Sequence, residues 1–324
     1  MRKFIVFIIV AAFLFSVPGC GQARVKEDVS GDKLKVVTTI FAPFDFVRVI
    51  AGDAAEASML LPPGSESHSF EPSPQDIIRI QNCDVFIYAG GDSDSWVRDV
   101  LASMDMSGKM VVTLMDCVPV VAEEIVEGMQ DDHEHDEHDV HEGEEHDEHA
   151  ADEHVWTSPK NAMLIVEKIS AALCAADEEN ADIYKQNMTA YLTELERLDV
   201  SFQKAVDGAA RRTIVFGDRF PFRYLADAYG LSYFAAFPGC STETEASAAT
   251  VAFLVDKIRD EGIPVVFHVE LSNQRMADVI SESTGAKVLL LHACHNVSKA
   301  EFESGVTYLD LMNQNVENLK EALL

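Results

Sequence analysis

Basic residues are scarce in this chain. Its 324 residues hold 25 Lys and Arg against 55 Asp and Glu, a formal net charge of −30. Nucleic-acid affinity rests on Lys and Arg meeting phosphates, so the balance argues against that function. An excess of acid suits solubility and the attraction of cations instead. No C-x-x-C pair occurs, which removes the zinc-ribbon reading. No Gly-rich phosphate loop is present, which argues against a nucleotide enzyme, and no H-E-x-x-H or similar hydrolytic motif appears. Past the amino end, no apolar run approaches the roughly 20 residues of a membrane-spanning helix.

What is present points to metal. From Asp131 to Glu153 the chain is almost wholly Asp, Glu and His, with His133, His135, His138, His141, His146 and His149 interleaved among the acids. Such a segment has too little apolar surface to fold by burial. It then gives way to His154-Val155-Trp156-Thr157-Ser158-Pro159, an ordinary strand or turn carrying one His. The pairing suggests a flexible collector of divalent cations beside a built site. Weak affinity suffices for a collector, because a tethered site raises the local concentration of the ion.

The amino end reads as an export signal. Arg2 and Lys3 precede an apolar run from Phe4 to Val17, followed by Pro18-Gly19-Cys20. The run is short for a membrane span and has the charged start and small-residue end of a secretory signal. Val17-Pro18-Gly19-Cys20 resembles a bacterial lipobox, which makes Cys20 the expected lipidated first residue. Five further cysteines follow: Cys83, Cys117, Cys174, Cys240 and Cys294. Export permits disulfides, an odd number leaves at least one thiol unpaired, and the expected pairing is Cys240 with Cys294.

Periodicity organises the rest as alternating strands and helices. Strands are expected at Leu34–Ile40, Asp84–Tyr88, Met110–Leu114, Thr213–Phe216, Pro264–Val269 and Val288–Leu291. Helices are expected at Pro43–Ala51, Gln75–Gln81, Ala162–Ala175, Phe222–Tyr229, Thr250–Glu261, Arg275–Thr284 and Tyr308–Leu323. Between the two series, Ala181–Val206 carries Tyr184, Met188, Tyr191, Leu195, Leu198 and Phe202 at spacings of three and four. That is one long amphipathic helix, a core stripe rather than a cofactor box. Alternation on both sides of it argues for α/β layers with largely parallel sheets.

Only five histidines lie outside the acidic tract: His68, His154, His268, His292 and His295. Each falls near a strand end or in a loop, where ligands collect in open α/β sheets. Imidazole nitrogen is a preferred zinc donor.

Ser67-His68-Ser69-Phe70-Glu71-Pro72 and Glu153-His154-Val155-Trp156-Thr157-Ser158-Pro159 resemble the first two ligand motifs of the zinc/manganese-type solute-binding lipoproteins of bacterial ABC importers. The His-rich loop before the second motif is typical of zinc members, and Glu243 to Ser247 resembles a Glu-containing segment of the second lobe. The resemblance implies two α/β lobes joined by a long rigid helix, with the metal between the lobes. It makes His68 and His154 the first-lobe ligands. In the second lobe the pattern departs: the aligned third position is Gly217, with Asp218 one step off, and the expected Asp is replaced by His292-Ala293-Cys294-His295. His292 or His295 is the replacement the resemblance leaves, with Asp218 a candidate carboxylate. Glu270 matches a family Glu that more often supports the site than binds the ion. Arg219 and Arg223 are expected in ion pairs, and Trp156 beneath the metal loop.

The expected organisation is a signal peptide over 1–19, a tether over 20–33, and a first lobe over 34–178 that includes the 131–153 loop. A connecting helix over 179–209 and a second lobe over 210–324 follow. The expected function is capture of Zn(II), with Mn(II) the alternative ion, by a monomer anchored outside the cytoplasm through Cys20. The ion would pass to a metal ABC permease, without chemistry on a substrate. An adhesin or zinc-sequestering lipoprotein is one alternative. A zinc hydrolase, with Glu270 or Glu71 as nominal base, is another and needs an open coordination position.

Overall fold

A computed structural model describes residues 33–129, 151–241 and 246–324. Residues 33–324 form one compact unit. The first sheet is built from β1 (Leu34–Thr38), β2 (Ala55–Met59), β3 (Val85–Tyr88) and β4 (Met110–Thr113), in the order β2-β1-β3-β4. The second repeats that order with β5 (Thr213–Phe220), β6 (Ser232–Pro238), β7 (Val265–His268) and β8 (Lys287–Leu290), as β6-β5-β7-β8. All of the pairings are parallel. In each sheet the chain order reverses beside the first strand, which opens a crevice at the carboxyl ends of the strands.

The helices that cover the first sheet are α1 (Phe41–Ala51), α2 (Pro74–Asn82), α3 (Ser95–Ala102) and α4 (Pro159–Ala176). Those of the second are α6 (Arg223–Tyr229), α7 (Ala248–Glu261), α8 (Arg275–Thr284) and α10 (Tyr308–Leu323), while the short α9 (Lys299–Ser304) stacks Phe302 on Phe44 of α1. Between the two series runs α5 (Ala181–Asp207), 27 residues long, which spans about 40 Å at 1.5 Å per residue. It buries Tyr184, Tyr191, Leu195, Leu198 and Phe202 along one face, and this stripe joins a core cluster that contains residues of both sheets. Smaller clusters fill the outer faces, one beneath α7 and α8 and one beneath α2 and α3. The chain therefore has the expected fold of two α/β lobes with parallel sheets and a long connecting helix.

Local chemistry explains several boundaries. Ser73 caps α2 through a reciprocal pair with Asp76, and Pro74 sits at the first helical position where its missing N–H costs nothing. Thr307 and Asp310 repeat the device on α10. Four elements escape the sequence reading: β2, β6, α3 and α9. The segment Ala-Glu-Ala-Ser-Met of β2 lacks branched or aromatic residues, so its strand state comes from pairing with β1 rather than from propensity.

Candidate metal centre

Three loops deliver the central histidines. His68 follows β2, His154 begins a single 3-10 turn before α4, and His295 follows β8. Their ring centroids lie 5.7 Å apart for His68 and His154, 5.2 Å for His68 and His295, and 4.7 Å for His154 and His295. One ligand nitrogen from each falls within 4.8 Å of the other two.

Two of the rings, those of His154 and His68, are held by their Nδ1 edges. His154 Nδ1 sits 2.9 Å from Asp152 Oδ1, which also accepts the His154 backbone N–H at 2.8 Å. His68 Nδ1 sits 2.8 Å from Ser93 Oγ. His295 is held through its backbone, which donates to Glu270 Oε1 at 3.1 Å, and its Nδ1 lies 3.8 Å from that oxygen. The Nε2 atoms of His154 and His295 are buried without a hydrogen-bond partner. Buried polar atoms are normally satisfied, so orphaned nitrogens in a converging cluster mark a place for a cation. A carboxylate behind the distal nitrogen is the usual way of orienting such a ligand.

Electrostatics divides the cluster. Burial, then the proximity of His154 and Arg219, depresses His68 to about 3. His295 is pushed far below its ordinary value by burial and by His154 and His68. Burial acts the same way on His154, but Asp152, with Glu153 and Glu123 beyond it, outweighs that and raises the ring above 6.5. Burial thus favours the neutral, lone-pair-bearing form of His68 and His295, whereas the carboxylates around His154 favour its protonated form more than in a free imidazole.

Trp156 lies under the cluster, edge-on to both His154 and His295, and donates Nε1–H to Ala293 O at 2.7 Å. Tyr308 Oη–H donates to Trp156 O at 2.8 Å. These bonds, with Phe41 N–H to His295 O at 2.8 Å, tie the histidine loops to elements distant in sequence.

The other expected residues stand outside the cluster. His292 is buried in a tight exchange with Asn315, its N–H donating to Oδ1 at 2.7 Å and its carbonyl accepting from Nδ2 at 2.8 Å. Its Nδ1 accepts the Cys294 N–H at 3.0 Å. Asp218 caps the neighbouring strand, accepting the Val269 N–H at 3.2 Å. Glu270 accepts the N–H groups of Ala293 at 2.6 Å and His295 at 3.1 Å, so it braces the histidine loop. Gly217 lies at an irregularity of β5, where a Cβ would come within 2.7 Å of Ala277 Cα; no ligand side chain fits there. His268 bonds Val269 O and Gln274. Arg219 and Arg223 do form ion pairs, with Glu66 and with Glu124 and Asp227.

Cys240 and Cys294 are both free thiols, so the expected disulfide is not formed. Cys294 is fully buried, and its neighbouring charges are Glu270, Asp45 and Glu301. Cys240 sits instead beside Glu153, Glu123 and Asp152, with its Sγ within 4.8 Å of a ligand atom of His154. The six histidines of the acidic tract, Cys20 and most of the Glu243–Ser247 segment lie outside the described residues.

The sequence reading passed over Asp152, Ser93 and Gly239. Asp152 closes the acidic tract and looks like part of it by composition; only its bond to His154 separates it. Gly239 packs directly on His154, where a Cβ would lie 3.0 Å from Cε1.

Residues 36–322 match the family of zinc-uptake complex component A, periplasmic, or ZnuA. The chain belongs to the ZnuA family. It is 33% identical to the high-affinity zinc uptake system protein ZnuA of Bacillus subtilis over 98% of its own length and 97% of that protein. Among solved structures it resembles the metal-dependent lipoprotein YcdH of Bacillus subtilis, with a TM-score of 0.74 and 29% identity over 90% of this chain and all (100%) of that one. It also resembles the Zn(II)-bound ZnuA-like domain of Streptococcus pneumoniae AdcA, with a TM-score of 0.72 and 26% identity over 90% of this chain and 99% of that one. ZnuA-family proteins are solute-binding components of zinc uptake acting outside the cytoplasmic membrane, not enzymes.

Proposed function

We propose that this protein captures Zn(II) on His68, His154 and His295 and delivers it to the permease of an ABC importer. The observation that carries the reading is the convergence of three imidazoles, with His68 and His154 braced at Nδ1 and the buried Nε2 atoms of His154 and His295 left without partners. An all-nitrogen donor set suits zinc better than manganese, which favours oxygen donors. Zinc takes four donors in closed sites, so three imidazoles leave one position for a further ligand.

The residues act as a preset cage. Burial keeps His68 and His295 unprotonated, Asp152 fixes the ring of His154, and Trp156 floors the site. Binding displaces the proton of His154, which links affinity to pH. Release follows when docking on the permease disturbs the loop geometry; the long α5 and the bonds across the site favour small movements over wide hinge opening. The lobes assigned to 34–178 and 210–324 meet at this cage.

The acidic His-rich tract serves as a weak collector. Its flanks are pinned together, since Ala122 and Ala151 form an antiparallel bridge and Asp152 N–H donates to Val121 O at 2.9 Å. The chain therefore re-enters the described fold at Ala151, three residues before His154. Anchorage through a lipidated Cys20 and a monomeric state complete the reading; no described helix is long and apolar enough to cross a membrane.

The test is calorimetric titration with Zn(II) and Mn(II) of the form starting after Cys20, with and without residues 131–151. One tight zinc site is expected to survive the deletion while weak sites are lost. Disappearance of all zinc affinity with the tract would overturn the assignment of the cage.

A further inference from the structure

β5 brings a cation, not a donor, to the metal cavity. Beyond the irregularity at Gly217 and Asp218, Arg219 turns toward the site and forks onto Glu66, with Nη1 to Oε1 at 3.1 Å and Nη2 to Oε2 at 3.0 Å. Nη1 also donates to Ser241 O at 3.2 Å. A guanidinium stays charged and has no lone pair for a metal, and a bidentate pair with a carboxylate is among the stronger polar contacts. Arg219, Glu66, His68 and His295 line one cavity.

Two carboxylates face that cavity, Glu66 and Glu270. Both oxygens of Glu270 are consumed by backbone N–H groups. Glu66 differs. It stands two residues from His68 in the same loop, its side chain is 38% exposed, and its oxygens are held by Arg219. It is not among the donors that lie within 4.8 Å of one another. Glu66 therefore has two possible partners, the guanidinium or an ion on the three imidazoles, and cannot serve both with both oxygens.

We propose that Arg219 sets the zinc affinity of this protein by holding Glu66 in its fork outside the coordination sphere, which leaves the fourth position of a three-imidazole site to a ligand from solvent. This rests on the three-imidazole reading above. Arg219 is a positioning residue: it acts through Glu66. The consequence is an ion held firmly enough to capture and loosely enough to surrender.

The experiment is a double-mutant cycle on the full protein with Arg219→Gln, Glu66→Gln and both together. Zn(II) affinity is measured against a competing chelator strong enough to silence weak sites, and the visible spectrum of Co(II) in the same site reports the donor set. Arg219→Gln is expected to tighten zinc about tenfold or more, comparable with the effect of other residues that orient ligands, and to change the Co(II) spectrum. Adding Glu66→Gln is expected to remove both changes. Arg219→Lys, which keeps the charge but not the fork, is expected to shift in the same direction and serves if the Gln variant fails to fold. Equal tightening with and without Glu66 would overturn the inference, because simple charge repulsion would then explain it. Unchanged or weaker binding in both Arg219 variants would overturn it too. If His154→Ala leaves tight zinc binding intact, the three-imidazole reading falls and this inference falls with it.

Discussion

Asp152 offers the most direct test of the cage, because it binds no ion in our reading and acts only through His154. One of its oxygens accepts both the backbone N–H and Nδ1 of His154, at 2.8 and 2.9 Å, and both side chains are essentially buried. Asp152→Ala removes the brace and leaves a buried N–H without an acceptor, a loss of about 1–3 kcal/mol of stability that a thermal melt would read. Loss of an outer carboxylate typically costs about 10–100-fold in metal affinity, or roughly 1.4–2.7 kcal/mol. Asp152→Asn keeps an acceptor oxygen and loses only charge, so its zinc affinity is expected between wild type and the Ala variant. Its deficit should also shrink at mildly acid pH. Without Asp152, only the weaker pull of Glu153 and Glu123 opposes burial at His154, so its pKa falls and the proton that competes with zinc is held less firmly. The assay is chelator competition across a pH series on both variants, with His154→Ala and the double variant closing a cycle. Full-strength zinc binding by Asp152→Ala would refute the reasoning, as would losses from Asp152→Ala and His154→Ala that simply add.

Four further outcomes follow from the same geometry. His295→Ala is expected to weaken zinc by more than about 100-fold, beyond the loss typical of a residue that only orients a ligand, whereas His292→Ala should act mainly on stability, by removing the Nδ1 that accepts the Cys294 N–H; reversed effects in the same titration would exchange the two residues. Gly239→Ala places a Cβ 3.0 Å from both His154 Cε1 and Phe220 O, so it is expected to lower both melting temperature and zinc affinity, and wild-type values in both would show that the loop yields freely. The raised pKa of His154 means that one proton competes with zinc below it, while His68, at about 3, stays silent until far lower pH. Affinity should therefore fall by about tenfold per pH unit below the His154 pKa; a slope near three protons would show that all the imidazoles titrate together. For the metal-free protein the sign is that of an ordinary paired carboxylate and opposite to that of a histidine raised by a partner, because His68 is depressed: its stability contribution is present above about 6.5 and is lost as pH falls toward 3.

The sequence by itself determined the layout. Apolar strands alternating with amphipathic helices require two α/β layers, and the stripe on Ala181–Val206 can be buried only as a long shared helix. The His-rich acidic tract and the motifs around His68 and His154 are likewise local patterns, legible without a partner. What the sequence left open turned on contacts between distant residues. His292 and His295 are equivalent donors on paper; Asn315, some 23 positions from His292, and Glu270, 25 positions from His295, settle which ring reaches the cluster. The turn between them needs Cys294 at a φ of 60°, a conformation that residue type does not announce. The same holds for β5, where the close approach of Ala277 empties Gly217 of any side chain and leaves Arg219, 153 positions from Glu66, facing the cavity. The direction of a side chain is set by backbone turns and by what crowds it, and only the tertiary structure supplies those.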